Sequence, residues 1–141
     1  MPARSNPLLF AYGTLMRGYA LHGVLAGGAT LVTTGHVRGR LLDLGGYPGL
    51  VTGAGRVSGE VYRLGDPQLL PVLDRKEGYN FVRCRGIVTL AGGRRARAWV
   101  YRYRGPRERA LEIPDGDYRR ARPPGARGRA MRPTPWRSPW R

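Results

Sequence analysis

Apolar positions along most of the chain recur with a period of two, after a continuous apolar run near the start and before a closing stretch with no apolar period. Pro7 to Tyr12 is nearly all apolar, which predicts a short strand buried on both faces and ended by Gly13. Tyr19 to Leu25 predicts a helical turn or two. Leu31 to Leu44 reads as a strand with an irregularity at Gly39, and Gly45-Gly46-Tyr47-Pro48-Gly49 is a turn by composition. Arg56 to Leu64 alternates, with Val57, Gly59 and Val61 on one face and Glu60, Tyr62 and Leu64 on the other. Phe81 to Leu90 and Arg94 to Tyr103 alternate around Gly92-Gly93, a hairpin signal that also sets Trp99, Tyr101 and Tyr103 side by side.

One stretch changes period. Asp66-Pro67 predicts a helix start, with Asp66 as N-cap and Pro67 at the first helical position. Leu69, Leu70, Val72 and Leu73 follow as a helical stripe, and Gly78 suits the residue just past the end. These elements together predict an α+β domain over residues 1–118, a small mixed β-barrel with one or two short helices. Residues 119–141 form a basic Pro/Arg-rich tail with five prolines and no apolar period, expected to be disordered.

Composition narrows the function classes. A length of 141 residues suits one domain, and 41% apolar residues can fill a core. No run approaches the ~20 apolar residues of a membrane span, and the first apolar stretch is too short for a secretory signal. The single cysteine, Cys84, cannot pair internally and falls on the apolar face of a strand, so a buried thiol and a cytoplasmic home are expected. The net charge is +16, half of it from the eight arginines of the tail. Lys76 is the only lysine, a bias of the kind that genome composition often produces, and arginines scattered along strands fit solvated faces. The tail is then the part suited to weak polyanion contact.

Two places carry candidate chemistry. Glu77 lies four residues after Leu73 and seven after Leu70, so it continues the apolar stripe on the side facing the protein. It also occupies the last helical turn, where the helix dipole disfavours negative charge. Burial and dipole both raise a carboxyl's pKa toward the range of a general acid/base. Position alone also fits a frayed helix end with Glu77 solvated beside Arg75 or Lys76. The second place is Tyr12-Gly13-Thr14-Leu15, where a glycine after the first strand can leave successive N–H groups free to bind an anion. The same four residues also fit an ordinary strand-ending turn. His22 and His36 have no metal-ligand spacing, and no phosphate loop, dinucleotide fingerprint or serine nucleophile elbow is present.

Six segments in order resemble the gamma-glutamylcyclotransferase-like family, in particular its gamma-glutamylamine-cyclotransferase-type branch. They are Phe10-Ala11-Tyr12-Gly13-Thr14-Leu15-Met16-Arg17-Gly18, Tyr47-Pro48-Gly49-Leu50, Gly59-Glu60-Val61-Tyr62, Leu73-Asp74-Arg75-Lys76-Glu77-Gly78-Tyr79, Ala98-Trp99-Val100-Tyr101 and Ile113-Pro114-Asp115-Gly116-Asp117-Tyr118. The resemblance covers roughly residues 8–118. It implies a β-barrel with the loop after strand one facing a catalytic glutamate, here Glu77. It further implies that Tyr12, Gly13, Thr14 and Leu15 cradle a gamma-glutamyl substrate, which closes to 5-oxoproline and expels an amine without metal or cofactor. The expected protein is a monomeric enzyme. The alternative is a non-catalytic module on the same fold that binds a small ligand or an anionic partner.

Overall fold

In the computed structural model, which describes residues 7–125, six strands and two helices follow one another. They are β1 (Leu8–Ala11), β2 (Ala29–Asp43), β3 (Pro48–Leu64), α1 (Leu69–Glu77), β4 (Phe81–Leu90), β5 (Arg95–Tyr103), β6 (Leu111–Ile113) and α2 (Tyr118–Ala121), with a 3-10 turn at His22–Leu25. Strand β1 pairs antiparallel with β3 and parallel with β5. Strand β5 pairs with β4, β4 with β2, and β2 with β3, all antiparallel. That sequence of pairings returns to β1, so five strands close into a mixed barrel, the architecture expected from the sequence. Strand β6 adds to the outside of β2. The continuous apolar run of β1 follows from this position, since Leu9, Phe10 and Ala11 have strands on both sides and are fully buried.

The long β2–β3 hairpin bends at two register shifts, between Leu31 and Thr33 and between Arg38 and Arg40. Gly39, at φ +152°, is the extra residue of the second shift, and a side chain there would press on the Val51 carbonyl at 2.9 Å. Strand β3 begins at Pro48 rather than at Arg56. The turn is completed within residues 44–47 by the Leu44 N–H to Tyr47 carbonyl bond, 2.9 Å, so Pro48 and Gly49 already pair with Asp43 and Leu42. Proline is tolerated at the first residue of a strand, where no ladder donor is lost.

Helix α1 starts at Leu69, two residues later than Asp66-Pro67 suggests. Asp66 instead organises a tight turn, its carboxylate accepting from the Gln68 N–H at 3.0 Å and its carbonyl from the Leu69 N–H at 2.9 Å. Leu73 is fully buried, with Leu69 and Leu70 packed beside it on the barrel core. Gly78 ends the helix at φ +87°, its N–H bonded to the Asp74 carbonyl. Cys84 is half-buried rather than fully enclosed.

The boundary expected after Tyr118 falls within α2. Asp117 caps α2 through its carboxylate, which accepts the Arg120 N–H, and the helix runs across residue 118. Arg119 pairs with buried Glu60 at 3.0 Å and Arg122 with Asp43 at 2.8 Å. Charges that look uncompensated along the sequence are therefore neutralised by acids distant in it. Residues 126–141 of the expected tail lie outside the described residues. Ending the chain at Tyr118 should lower stability by about 1–3 kcal/mol, because the carboxylates of Glu60 and Asp43 lose charged partners. Denaturant melts of the two lengths check this, and equal midpoints would refute it.

Candidate active site

Where β1 leaves the barrel, Tyr12 is buried and its hydroxyl is fully used. It donates to the Tyr101 carbonyl at 2.6 Å and accepts the Leu50 N–H at 3.1 Å, tying the end of β1 to β5 and β3. Burial first, and the nearby Glu77 charge second, push this phenol far above its ordinary pKa. It therefore stays a neutral strut. Gly13 follows because nothing larger fits: a Cβ there would stand 2.5 Å from Cγ and 2.8 Å from Cδ of the Pro48 ring.

The next residues form a hooked loop whose carbonyls are spoken for. The Gly13 carbonyl accepts the Met16 N–H at 2.9 Å, and the Thr14 carbonyl accepts the Leu21 N–H at 2.9 Å. The Leu15 carbonyl accepts from Nδ1 of His22 at 2.9 Å, which places the proton on that ring nitrogen. The N–H groups of Gly13, Thr14 and Leu15, by contrast, make no hydrogen bond to the described residues. Three successive donors left open after a strand are suited to an anionic oxygen.

This loop forms one wall of a cavity of about 300 Å³. Tyr47, Pro48, Phe81 and Tyr101 supply an aromatic and apolar lining, and Lys76 and Glu77 enter from the end of α1. The Glu77 carboxyl has no hydrogen bond or ion pair with the described residues. Burial raises its pKa from an ordinary 4.5 to about 7. Its position at the C-terminal end of α1 acts in the same direction.

Asp74, one turn earlier on the same helix, is poised oppositely. It accepts from Arg83 at 2.8 and 3.1 Å and from the Tyr101 hydroxyl at 2.6 Å. The Arg83 bond, followed by that of Tyr101, holds the Asp74 carboxyl below its usual range against some burial. Two carboxyls three residues apart are thus separated by environment, one fixed as an anion and the other near neutrality. The Asp74–Arg83–Tyr101 network also pins the last turn of α1 to β4 and β5, which fixes where Glu77 projects.

Glu77 and Tyr12, Gly13, Thr14 and Leu15, singled out in the sequence by separate arguments, line the same cavity. Sequence pattern does not single out Tyr101, Tyr47 or Phe81 as site residues, nor the Asp74–Arg83 brace. Tyr101 is legible only as one of three aromatics on a strand face, and nothing local marks which of the three meets a helix. His22 serves the loop carbonyl, and no group of His, Cys, Asp or Glu able to hold a metal occurs among the described residues. No helix among them is long and apolar enough to cross a membrane.

The sequence profile of the family described as "Gamma-glutamyl cyclotransferase, AIG2-like" matches residues 9–120. A Vibrio cholerae serotype O1 protein named "Putative gamma-glutamylcyclotransferase" is 36% identical over 115 residues, covering 79% of this chain and 94% of its own. The crystal structure of an uncharacterized protein from Pyrococcus horikoshii superposes with a TM-score of 0.68 at 25% identity, covering 82% of this chain and 92% of the other. That of an AIG2-like protein from Mus musculus does so with a TM-score of 0.61 at 26% identity, covering 70% and 78%.

Proposed function

The chain belongs to the gamma-glutamyl cyclotransferase, AIG2-like family, and from that premise we propose that its cavity converts a gamma-glutamyl compound to 5-oxoproline and a free amine. The observation that carries the reading is the desolvated Glu77 carboxyl opening onto the same cavity as the unpaired N–H groups of Gly13, Thr14 and Leu15. In the proposed reaction the substrate's α-amine attacks its own γ-amide carbonyl. A carbon–nitrogen bond closes the five-membered ring, and the original amide carbon–nitrogen bond breaks. Glu77 accepts the proton released by the attacking amine and returns it to the departing nitrogen. The free N–H groups hold the anionic oxygens of the γ-glutamyl head.

Ring closure is intramolecular, so the protein's main tasks are to fold the substrate onto itself and to move one proton. The site's inventory of one near-neutral carboxyl and a short row of amide donors supports that division of labour. Tyr47 and Phe81 supply an aromatic, apolar part of the same pocket. A panel of gamma-glutamyl amino acids and amines assayed for 5-oxoproline release tests the assignment. Release from at least one member is expected. Saturable binding with no release across the panel would replace it by a ligand-binding module.

The pH dependence follows from the Glu77 environment. To accept a proton Glu77 must be ionised, so kcat/KM should rise with pH along a limb centred near 7, where its raised pKa lies. A limb centred near 4.5, the value of a solvated carboxyl, would show that Glu77 is not the base.

A further inference from the structure

The residues that follow the substrate loop, Met16 to Tyr19, take no part in lining the cavity, yet they are the most heavily bonded part of this connection. The peptide of Arg17 is gripped from both sides. Its N–H donates to Oε1 of Glu60 at 2.9 Å, and its carbonyl accepts from Nη2 of Arg119 at 2.8 Å. The same Nη2 reaches Oε2 of Glu60 at 3.0 Å, so Arg119, Glu60 and Arg17 form a closed triangle. Glu60 is a buried charged residue, 7% exposed, and Tyr62 holds it with a further bond of 2.6 Å. Around this triangle the α2 segment covers the chain. The Arg119 guanidinium lies over the Tyr19 ring at 5.2 Å, Tyr118 packs on that ring at 5.4 Å, and the Tyr19 hydroxyl donates to the Arg122 carbonyl at 2.6 Å.

A row of unpaired N–H groups is an unfavourable arrangement for a free loop, which would turn those donors toward water or its own carbonyls. Keeping them open requires that both ends of the loop be fixed. The start is fixed by the Tyr12 hydroxyl. We propose that Arg119, through Arg17 and Glu60, fixes the far end and is a positioning residue for the substrate loop, although it stands 102 residues away in sequence. This inference rests on the proposed function. It adds that one residue of α2, Arg119, acts on the substrate loop and not only on the stability of the fold.

Arg122 supplies the control, since it also bonds α2 to the barrel, through Asp43, but its side chain does not reach the loop. Three variants are compared: Arg119→Ala, Arg119→Lys and Arg122→Ala. Each is measured for melting temperature, for steady-state 5-oxoproline release with kcat and KM resolved, and for hydrogen exchange at the Arg17 and Met16 amides. Arg119→Ala and Arg122→Ala should lose similar thermal stability. Only Arg119→Ala should speed Arg17 exchange by about tenfold or more and lower kcat/KM by roughly 10–100-fold, with the position of the pH limb unchanged. Lysine, which keeps a donor and the charge, should recover part of both losses. Wild-type exchange and kinetics in Arg119→Ala, or an equal kinetic loss in Arg122→Ala, would overturn the inference. Should the wild-type protein release no 5-oxoproline from any gamma-glutamyl compound, the proposed function fails. Amide exchange then still decides whether Arg119 holds the loop.

Discussion

Glu77→Gln should reduce 5-oxoproline release by roughly 10²–10⁴-fold while leaving the barrel folded, the effect typical of removing a general acid/base. Glutamine matches glutamate in shape and can fill the same volume, but it cannot accept the amine's proton. The substitution also has a thermodynamic signature. The Glu77 carboxyl ionises near 4.5 when unfolded and near 7 when folded, so the folded state binds that proton more tightly. Its contribution to stability is therefore fully present below pH 4.5 and is lost as pH rises through 7. Glu77→Gln removes this loss, so at about pH 8 the inactive variant should be more stable than its parent. A gain of about 2 kcal/mol is expected, after allowance for the carboxyl's contact with solvent in the cavity. An inactive variant that melts higher at about pH 8 but not at about pH 4 would join both arguments in one protein. Wild-type turnover in Glu77→Gln would end the assignment of this residue.

Gly13→Ala should be nearly as damaging to activity for a purely steric reason. The new methyl would meet the Pro48 ring at 2.5 and 2.8 Å, and a proline ring cannot rotate away. Either the loop lifts from the wall or Pro48 moves and disturbs the start of β3. A displacement of about 1 Å at the N–H groups is enough to cost roughly 10²-fold in rate, and overpacking of this kind costs about 1–3 kcal/mol in stability. The paired substitution Gly13→Ala with Pro48→Ala frees the space and should recover a good part of both. Absence of that recovery, or wild-type kcat/KM in Gly13→Ala alone, would show that close contact between loop and Pro48 is not what holds the donors in place.

Sequence patterning carried the elements best where apolar residues repeat on a single face. Strand β4 occupies the residues that the alternation marks, Phe81 to Leu90, and Gly39 and Gly78 fall at a bulge and a helix end as their chemistry requires. The stripe of Leu70 and Leu73 also placed Glu77 on the protein-facing side, because burial in a helix is a matter of spacing alone. What stayed hidden depends on contacts across long separations. The brief strand β6 and helix α2 have too few residues to show a period, and both are held by partners on β2 and β3. Arg119 and Arg122 look like the start of a basic tail until Glu60 and Asp43 are brought beside them. The Asp74–Tyr101 bond was illegible for the same reason, since no local pattern tells which tyrosine of a strand meets which carboxylate of a helix.

The position of β1 has a consequence for how the chain comes to be folded at all. It is made before the other strands described, yet its neighbours in the barrel are β3 and β5, and the Tyr12 hydroxyl bonds to a carbonyl 89 residues further on. The β2–β3 hairpin can form from nearby residues, whereas β1 must wait for the β5 segment before the ring can shut. Closure between such distant partners is slow, because loop entropy is lost before the contact is gained. During synthesis the emerging apolar segment Leu8–Ala11 therefore remains without its partner on β5 until Arg95–Tyr103 has also been made. Aggregation through that segment is the natural hazard of this topology, and substitutions that weaken β5 should lower the yield of folded protein more than its final stability.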